Sequence, residues 1–379
     1  MFASLAALLT SGTALAEAPT VVVDIAPAHS IVARVMEGAG TPTLLLPPGA
    51  SPHGYALRPS EARALSNADI VVWIGPALTP WLERSLDTLA EGATQVVLME
   101  APGIEHLPLR EGPLFEHDHG AHHGEHDDEH DHDEHAHGDD DHDHGEKHAH
   151  DEHGHKDHGH DDHGHKEADH DEHEGHGHDH EEHAEHDDEH DHDNGHGHGH
   201  GHGHTDARDA HIWLNPANAA QIAEAVAAAL AKADPAQAAL YTANAAAAAA
   251  EYAALAETLA TTVQPVAGRP FVVLHDAYQH FEHRFGTEAA GAIAAGDGGE
   301  EAGLSPARLA ALQERIGELE AVCVFAEPQF PNRTLTALTE GTAAKTGVLD
   351  PLGADLEPGA ALYAGLLEGL ATSLVECLG

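Results

Sequence analysis

Basic residues are scarce in this chain: 16 Lys and Arg stand against 66 Asp and Glu over 379 residues, a formal net charge of −50. A protein that grips phosphates needs a basic face to displace counterions, so the deficit argues against nucleic acid and against an anionic membrane surface as partners. Cysteine is almost as scarce, with only Cys323 and Cys377. In an oxidising compartment such a pair is expected to be bridged, pinning the last helix; two buried free thiols are the alternative, and a metal–thiolate site is disfavoured. Beyond the N-terminus there is no run of about 20 apolar residues to span a bilayer, which argues against direct membrane insertion.

One segment lacks large apolar residues altogether. Residues 116–204 contain no Val, Ile, Leu, Phe, Tyr or Trp, but hold 33 of the 40 His together with 33 Asp and Glu. Nothing there buries enough apolar surface to offset lost chain entropy, so the tract reads as a disordered insertion when metal-free. Imidazole is the commonest protein metal ligand, and stretches such as His196-Gly197-His198-Gly199-His200 present imidazoles two residues apart. The tract is therefore expected to bind several zinc ions, each weakly, because each must order the chain around it. Collecting metal, reporting its abundance and buffering an excess all fit, as does a dispensable solvated insertion.

The start of the chain reads as a secretory signal over residues 1–16, with an apolar run and the small-x-small ending Ala14-Leu15-Ala16. No Cys follows the cleavage pattern, which argues against a lipid anchor and for a soluble exported protein.

In the remaining 290 residues, short β-branched runs alternate with helix-like stretches. Strands are expected at Val21–Ile25, Thr43–Leu46, Ile70–Ile74, Gln95–Met99 and Ile212–Leu214, then at Phe271–Leu274, Val322–Phe325 and Val348–Leu349. Asp234-Pro235 opens an Ala-rich segment free of Gly and further Pro until about Val263. The fold class is thus α/β: two lobes with mainly parallel sheets, at 17–234 and 265–379, joined by a long helix over 235–264. A single large α/β domain is the alternative.

Ligands of open α/β sheets bind beyond the carboxyl ends of the strands, and three of the seven His outside the tract stand beside strand-like runs. His53 follows the Thr43–Leu46 run and a Pro-Pro-Gly turn, His211 precedes Ile212-Trp213-Leu214, and His275 ends Phe271-Val272-Val273-Leu274. Three imidazoles and one carboxylate satisfy a tetrahedral zinc ion at about 2.0–2.2 Å. Asp350, in Leu349-Asp350-Pro351-Leu352-Gly353, is the candidate fourth ligand; Glu327, in Phe325-Ala326-Glu327-Pro328, competes with it, and water is a third possibility. His280 and His283 are expected to face solvent or cap a helix. A zinc hydrolase is disfavoured because no zincin pattern or separate general base is evident. A storage, buffering or adhesion protein centred on the tract remains the alternative to capture by the lobes.

The pieces Leu46-Pro47-Pro48-Gly49-Ala50-Ser51-Pro52-His53-Gly54-Tyr55, His211-Ile212-Trp213-Leu214, Leu274-His275-Asp276-Ala277-Tyr278, Phe325-Ala326-Glu327-Pro328 and Leu349-Asp350-Pro351-Leu352-Gly353 resemble the solute-binding proteins of zinc and manganese ABC transporters. The resemblance implies two α/β lobes tied by a rigid helix, with one metal held between them and delivered to an inner-membrane ABC permease by a monomeric, non-enzymatic carrier. It implies His53 and His211 as ligands from the first lobe, with His275 and Asp350 from the second. In that family a His at the third position accompanies zinc and a Glu accompanies manganese, consistent with imidazole suiting Zn2+ and carboxylate suiting manganese. The Cys323 and Cys377 positions also resemble a family disulfide.

Overall fold

β-branched runs too short for helices form two parallel sheets in the computed structural model, which describes residues 18–110, 207–294, 305–318, 320–329 and 332–379. The secretory signal expected at 1–16 and the His-rich tract at 116–204 lie outside the described residues.

The first sheet is built from β1 (Val21–Val23), β2 (Thr43–Leu44), β3 (Ile70–Trp73) and β4 (Thr94–Val97), in the order β2-β1-β3-β4 with every pairing parallel. Parallel neighbours require crossovers, supplied by α1 (Ala26–Val35), α2 (Pro59–Ser66) and α3 (Pro80–Leu89). Each of these helices has Pro in its first two positions, where the missing N–H costs no hydrogen bond. Two helices then lead out of the lobe, α4 (Pro216–Ala233) and the 26-residue α5 (Ala238–Val263), about 39 Å long at 1.5 Å per residue.

The second sheet repeats the pattern. Its strands β5 (Phe271–His275), β6 (Ala289–Ala294), β7 (Cys323–Ala326) and β8 (Lys345–Val348) run β6-β5-β7-β8, again all parallel. Around them lie α6 (Gln279–Phe285), α7 (Pro306–Glu318), α8 (Asn332–Thr339) and α9 (Leu362–Leu378). In both sheets the strand order reverses beside the first strand, at β1/β3 and β5/β7, creating the crevice where α/β sheets bind ligands.

Three local expectations change. Ile212–Leu214 is a 3-10 turn and not a strand, because Asn215 caps α4 immediately after it, its Oδ1 accepting from Ala217 N at 3.0 Å. The last strand ends at Val348, and the Ala- and Gly-rich β6 joins the sheet without a β-branched run to announce it.

One apolar cluster runs from Val21 through Trp213, Tyr241 and Phe271 to Tyr363 and Leu378, so the halves share a core. Trp213 Nε1 donates to Pro351 O at 2.8 Å and Tyr363 OH donates to Trp213 O at 2.8 Å. Ser30 Oγ accepts from Tyr363 N at 2.9 Å and donates to Ala360 O at 3.1 Å. Cys323, opening β7, is bridged to Cys377 in the last turn of α9 with a Cα–Cα distance of 6.1 Å. Among the described residues no helix is long and apolar enough to cross a membrane.

Candidate metal centre

Each imidazole of the centre reaches it by a different local device. His53 lies on the loop between β2 and α2, after the turn Pro47-Pro48-Gly49, which closes with Ala50 N donating to Pro47 O at 3.2 Å and places Gly49 at φ +77°. That loop is fastened from outside: Trp81 Nε1 donates to Pro52 O at 2.7 Å, and Tyr55 OH donates to Glu61 at 2.8 Å. His211 is fixed by Asp209, whose Oδ1 accepts from His211 N at 3.0 Å and from His211 Nδ1 at 2.7 Å. His275 is the last residue of β5, and its Nδ1 donates to Glu327 Oε1 at 3.1 Å, just past β7. Glu327 Oε2 in turn accepts from Gln329 Nε2 at 2.9 Å.

The three rings converge. Their centroids are 5.9 Å apart for His53 and His211, 5.2 Å for His53 and His275, and 5.0 Å for His211 and His275. One ligating atom from each lies within 4.8 Å of the others, the one such cluster of three or more metal-binding side chains among the described residues. A tetrahedral zinc with nitrogens at about 2.05 Å needs them about 3.3 Å apart, so closing the set on one ion requires it to contract by up to about 1.5 Å.

The electrostatics favour neutral, ligating imidazoles. Burial, reinforced by the neighbouring His211 and His275, lowers the pKa of His53 to about 3. His211 is driven well below its usual range by burial and then by His275. A carboxylate on Nδ1 fixes both tautomer and ring direction, setting Nε2 as the lone-pair nitrogen of His211 and His275. The His53 Nε2 is buried with no hydrogen-bond partner, which is costly unless an ion or water completes it.

Asp350 does not join this group. Its Oδ1 accepts from Leu352 N at 3.0 Å and Gly353 N at 2.9 Å, and its Oδ2 accepts from Ala354 N at 2.6 Å, so the carboxylate organises the loop after β8. Glu327 stands behind His275 rather than beside it. His280 is fully buried, in neither the solvent-facing nor the helix-capping role expected for it, and its Nε2 donates to Asp209 O at 3.4 Å. His283 is exposed and pairs with Glu105 at 3.3 Å. Sequence reading passes over Asp209, although its place two residues before His211 is a recognisable cue, and also over Arg110 and Asp276, treated below.

Two parallel α/β lobes, a long helix between them and three converging imidazoles define a two-lobed metal-binding protein of the solute-binding class. Residues 21–377 match the family described as ZnuA, zinc-uptake complex component A, periplasmic. The chain belongs to that family. It is 42% identical over 368 residues to the high-affinity zinc uptake system protein ZnuA of Brucella abortus, covering 97% of this chain and 94% of the relative. The protein of the same name from Paracoccus denitrificans is 40% identical over 367 residues, with 97% and 94% covered. A crystal structure of ZnuA superposes with a TM-score of 0.63 at 20% identity, covering 96% of this chain and all of the other, which speaks to fold.

Proposed function

We propose that the protein captures zinc in the periplasm and hands it to an inner-membrane ABC permease, with His53, His211 and His275 as ligands and a solvent oxygen in the fourth position. The observation that carries this reading is the convergence of three buried imidazoles, two oriented by carboxylates and the third with an unpartnered nitrogen. The cavity beside them has about 10 Å³ of open space, room for one ion or water. An all-imidazole donor set suits Zn2+ better than the harder Mn2+.

The protein acts as a monomeric carrier and not as an enzyme: Asp209 Oδ1 and Glu327 Oε1 are spent on orienting ligands, and Asp276 pairs with an arginine. The His-rich tract serves as an auxiliary collector, holding several ions more weakly than the folded centre. Chelator competition with zinc and with manganese, on the unaltered chain and on His211→Ala, tests the reading. It expects one tight zinc, weak manganese and loss of the tight zinc in the variant; an unchanged tight zinc in His211→Ala contradicts it.

A further inference from the structure

The two chain ends that bracket residues 111–206 are stitched together beside the metal centre. Pro108 and Arg208 form an antiparallel bridge, Leu109 N donates to Ala207 O at 3.0 Å, and Asp209 N donates to Leu107 O at 2.9 Å. At the tip of this stem stands Arg110, whose guanidinium crosses to the second lobe and meets two carboxylates. Its Nε donates to Asp276 Oδ2 at 3.1 Å while Nη2 donates to Asp276 Oδ1, and its Nη1 donates to Glu282 Oε2 at 2.6 Å. All three side chains are largely buried, at 15% exposure for Arg110, 9% for Asp276 and 4% for Glu282.

Two spaces meet at this residue. On one side is the small cavity over the imidazoles, whose wall includes His53, His211, His275 and Asp276. On the other is a larger, open pocket of about 330 Å³ lined in part by Glu282, His283 and Glu288. Arg110 lines both, and it holds one carboxylate from each: Asp276 from the inner cavity and Glu282 from the outer pocket. We infer that Arg110 is the gate between an acidic outer pocket, through which a divalent cation enters and leaves, and the tri-imidazole cavity. The inference rests on the zinc-capture reading and adds a route and a residue to it.

The physical basis is competition. A dication in the outer pocket is drawn to the same carboxylates that hold the guanidinium, so passage requires Arg110 to release them. Breaking a buried, bidentate pair is slow compared with diffusion through an open channel, so the pair sets the exchange rate. Arg110 is not one of the three side chains that converge as ligands, so removing it should accelerate arrival and departure together, with a smaller effect on the equilibrium.

The test follows zinc capture and chelator-driven zinc release by stopped flow on the full chain, with His53→Ala identifying the kinetic phase of the folded centre. In Arg110→Gln both rates of that phase should rise by about tenfold or more, with the dissociation constant shifted by less than about threefold. Arg110→Lys keeps the two carboxylates compensated but lacks the planar fork, and should show the same paired acceleration to a smaller degree even if Arg110→Gln folds poorly. A rise in release alone with proportionately weaker affinity, or unchanged rates in both variants, overturns the gate. If the unaltered chain shows no phase that His53→Ala removes, the zinc-capture reading falls and the gate falls with it.

Discussion

The two lobes share a strand order and present their imidazoles in opposite ways. The second lobe carries His275 on the end of a central strand, braced by Glu327 from the neighbouring strand end, in a sheet tied to α9 by a disulfide. The first lobe carries His53 on a long loop fastened by side chains behind it, with the ring nitrogen that faces no partner. One imidazole is thus set by the sheet itself and the other by a loop that Trp81 and Glu61 hold in place.

The largest effect on this contrast should come from the disulfide. Removing a bridge that closes a 54-residue separation lowers stability by about 4 kcal/mol on the chain-entropy account. Urea unfolding of the double variant Cys323→Ser, Cys377→Ser measures the loss, and stability unchanged from the parent contradicts the claim that the second lobe is braced this way.

Next come the orienting carboxylates. Glu327→Gln and Asp209→Asn each leave the imidazole in place but weaken its hold on tautomer and direction, and each should reduce zinc affinity by about 10–100-fold in competition titrations. Asp350→Asn should leave affinity within about threefold of the parent, since the carboxylate serves its own loop. A loss as large as that of Glu327→Gln would return Asp350 to the ligand set.

A separate effect falls on acid stability. His53 is held near a pKa of 3 in the fold against about 6.5 for an ordinary imidazole. Between those values the unfolded chain binds more protons than the fold, so the metal-free protein loses stability as pH falls through that window. His53→Gln should flatten this acid slope in denaturant melts across pH. Zinc titration at two pH values checks the same contrast: near pH 5.5 the folded centre should keep one ion, and the additional ions the full chain is proposed to take up at pH 7 should be lost.

Much of this architecture is legible in the sequence. Alternation of β-branched runs with Pro-initiated helices points to parallel sheets, and reading beside the apolar runs points to His53, His211 and His275, although the run after His211 is a 3-10 turn and not a strand. What escapes the sequence depends on distant partners. Asp350 reads as a ligand because it follows a strand; in the structure its carboxylate accepts from three backbone amides of the succeeding turn and stands outside the imidazole cluster. Glu327 reads as a rival ligand, and only the pairing of β5 with β7 reveals it behind His275. The β6 strand, Ala-Ala-Gly-Ala-Ile-Ala, has little β-propensity and is held by β5 alone in the sheet order. Arg110 is an isolated cation in an acidic chain until folding brings Asp276 and Glu282 to it.

The central claim is that the folded lobes, and not the His-rich tract, hold the tight metal. Chelator-competition titration of zinc on a chain lacking residues 116–204, beside the same chain carrying His275→Ala, tests it most directly. The account predicts one tight zinc site in the shortened chain and its loss in the variant. A shortened chain without any tight site, alongside a full-length chain that has one, would contradict it and make the tract the metal centre.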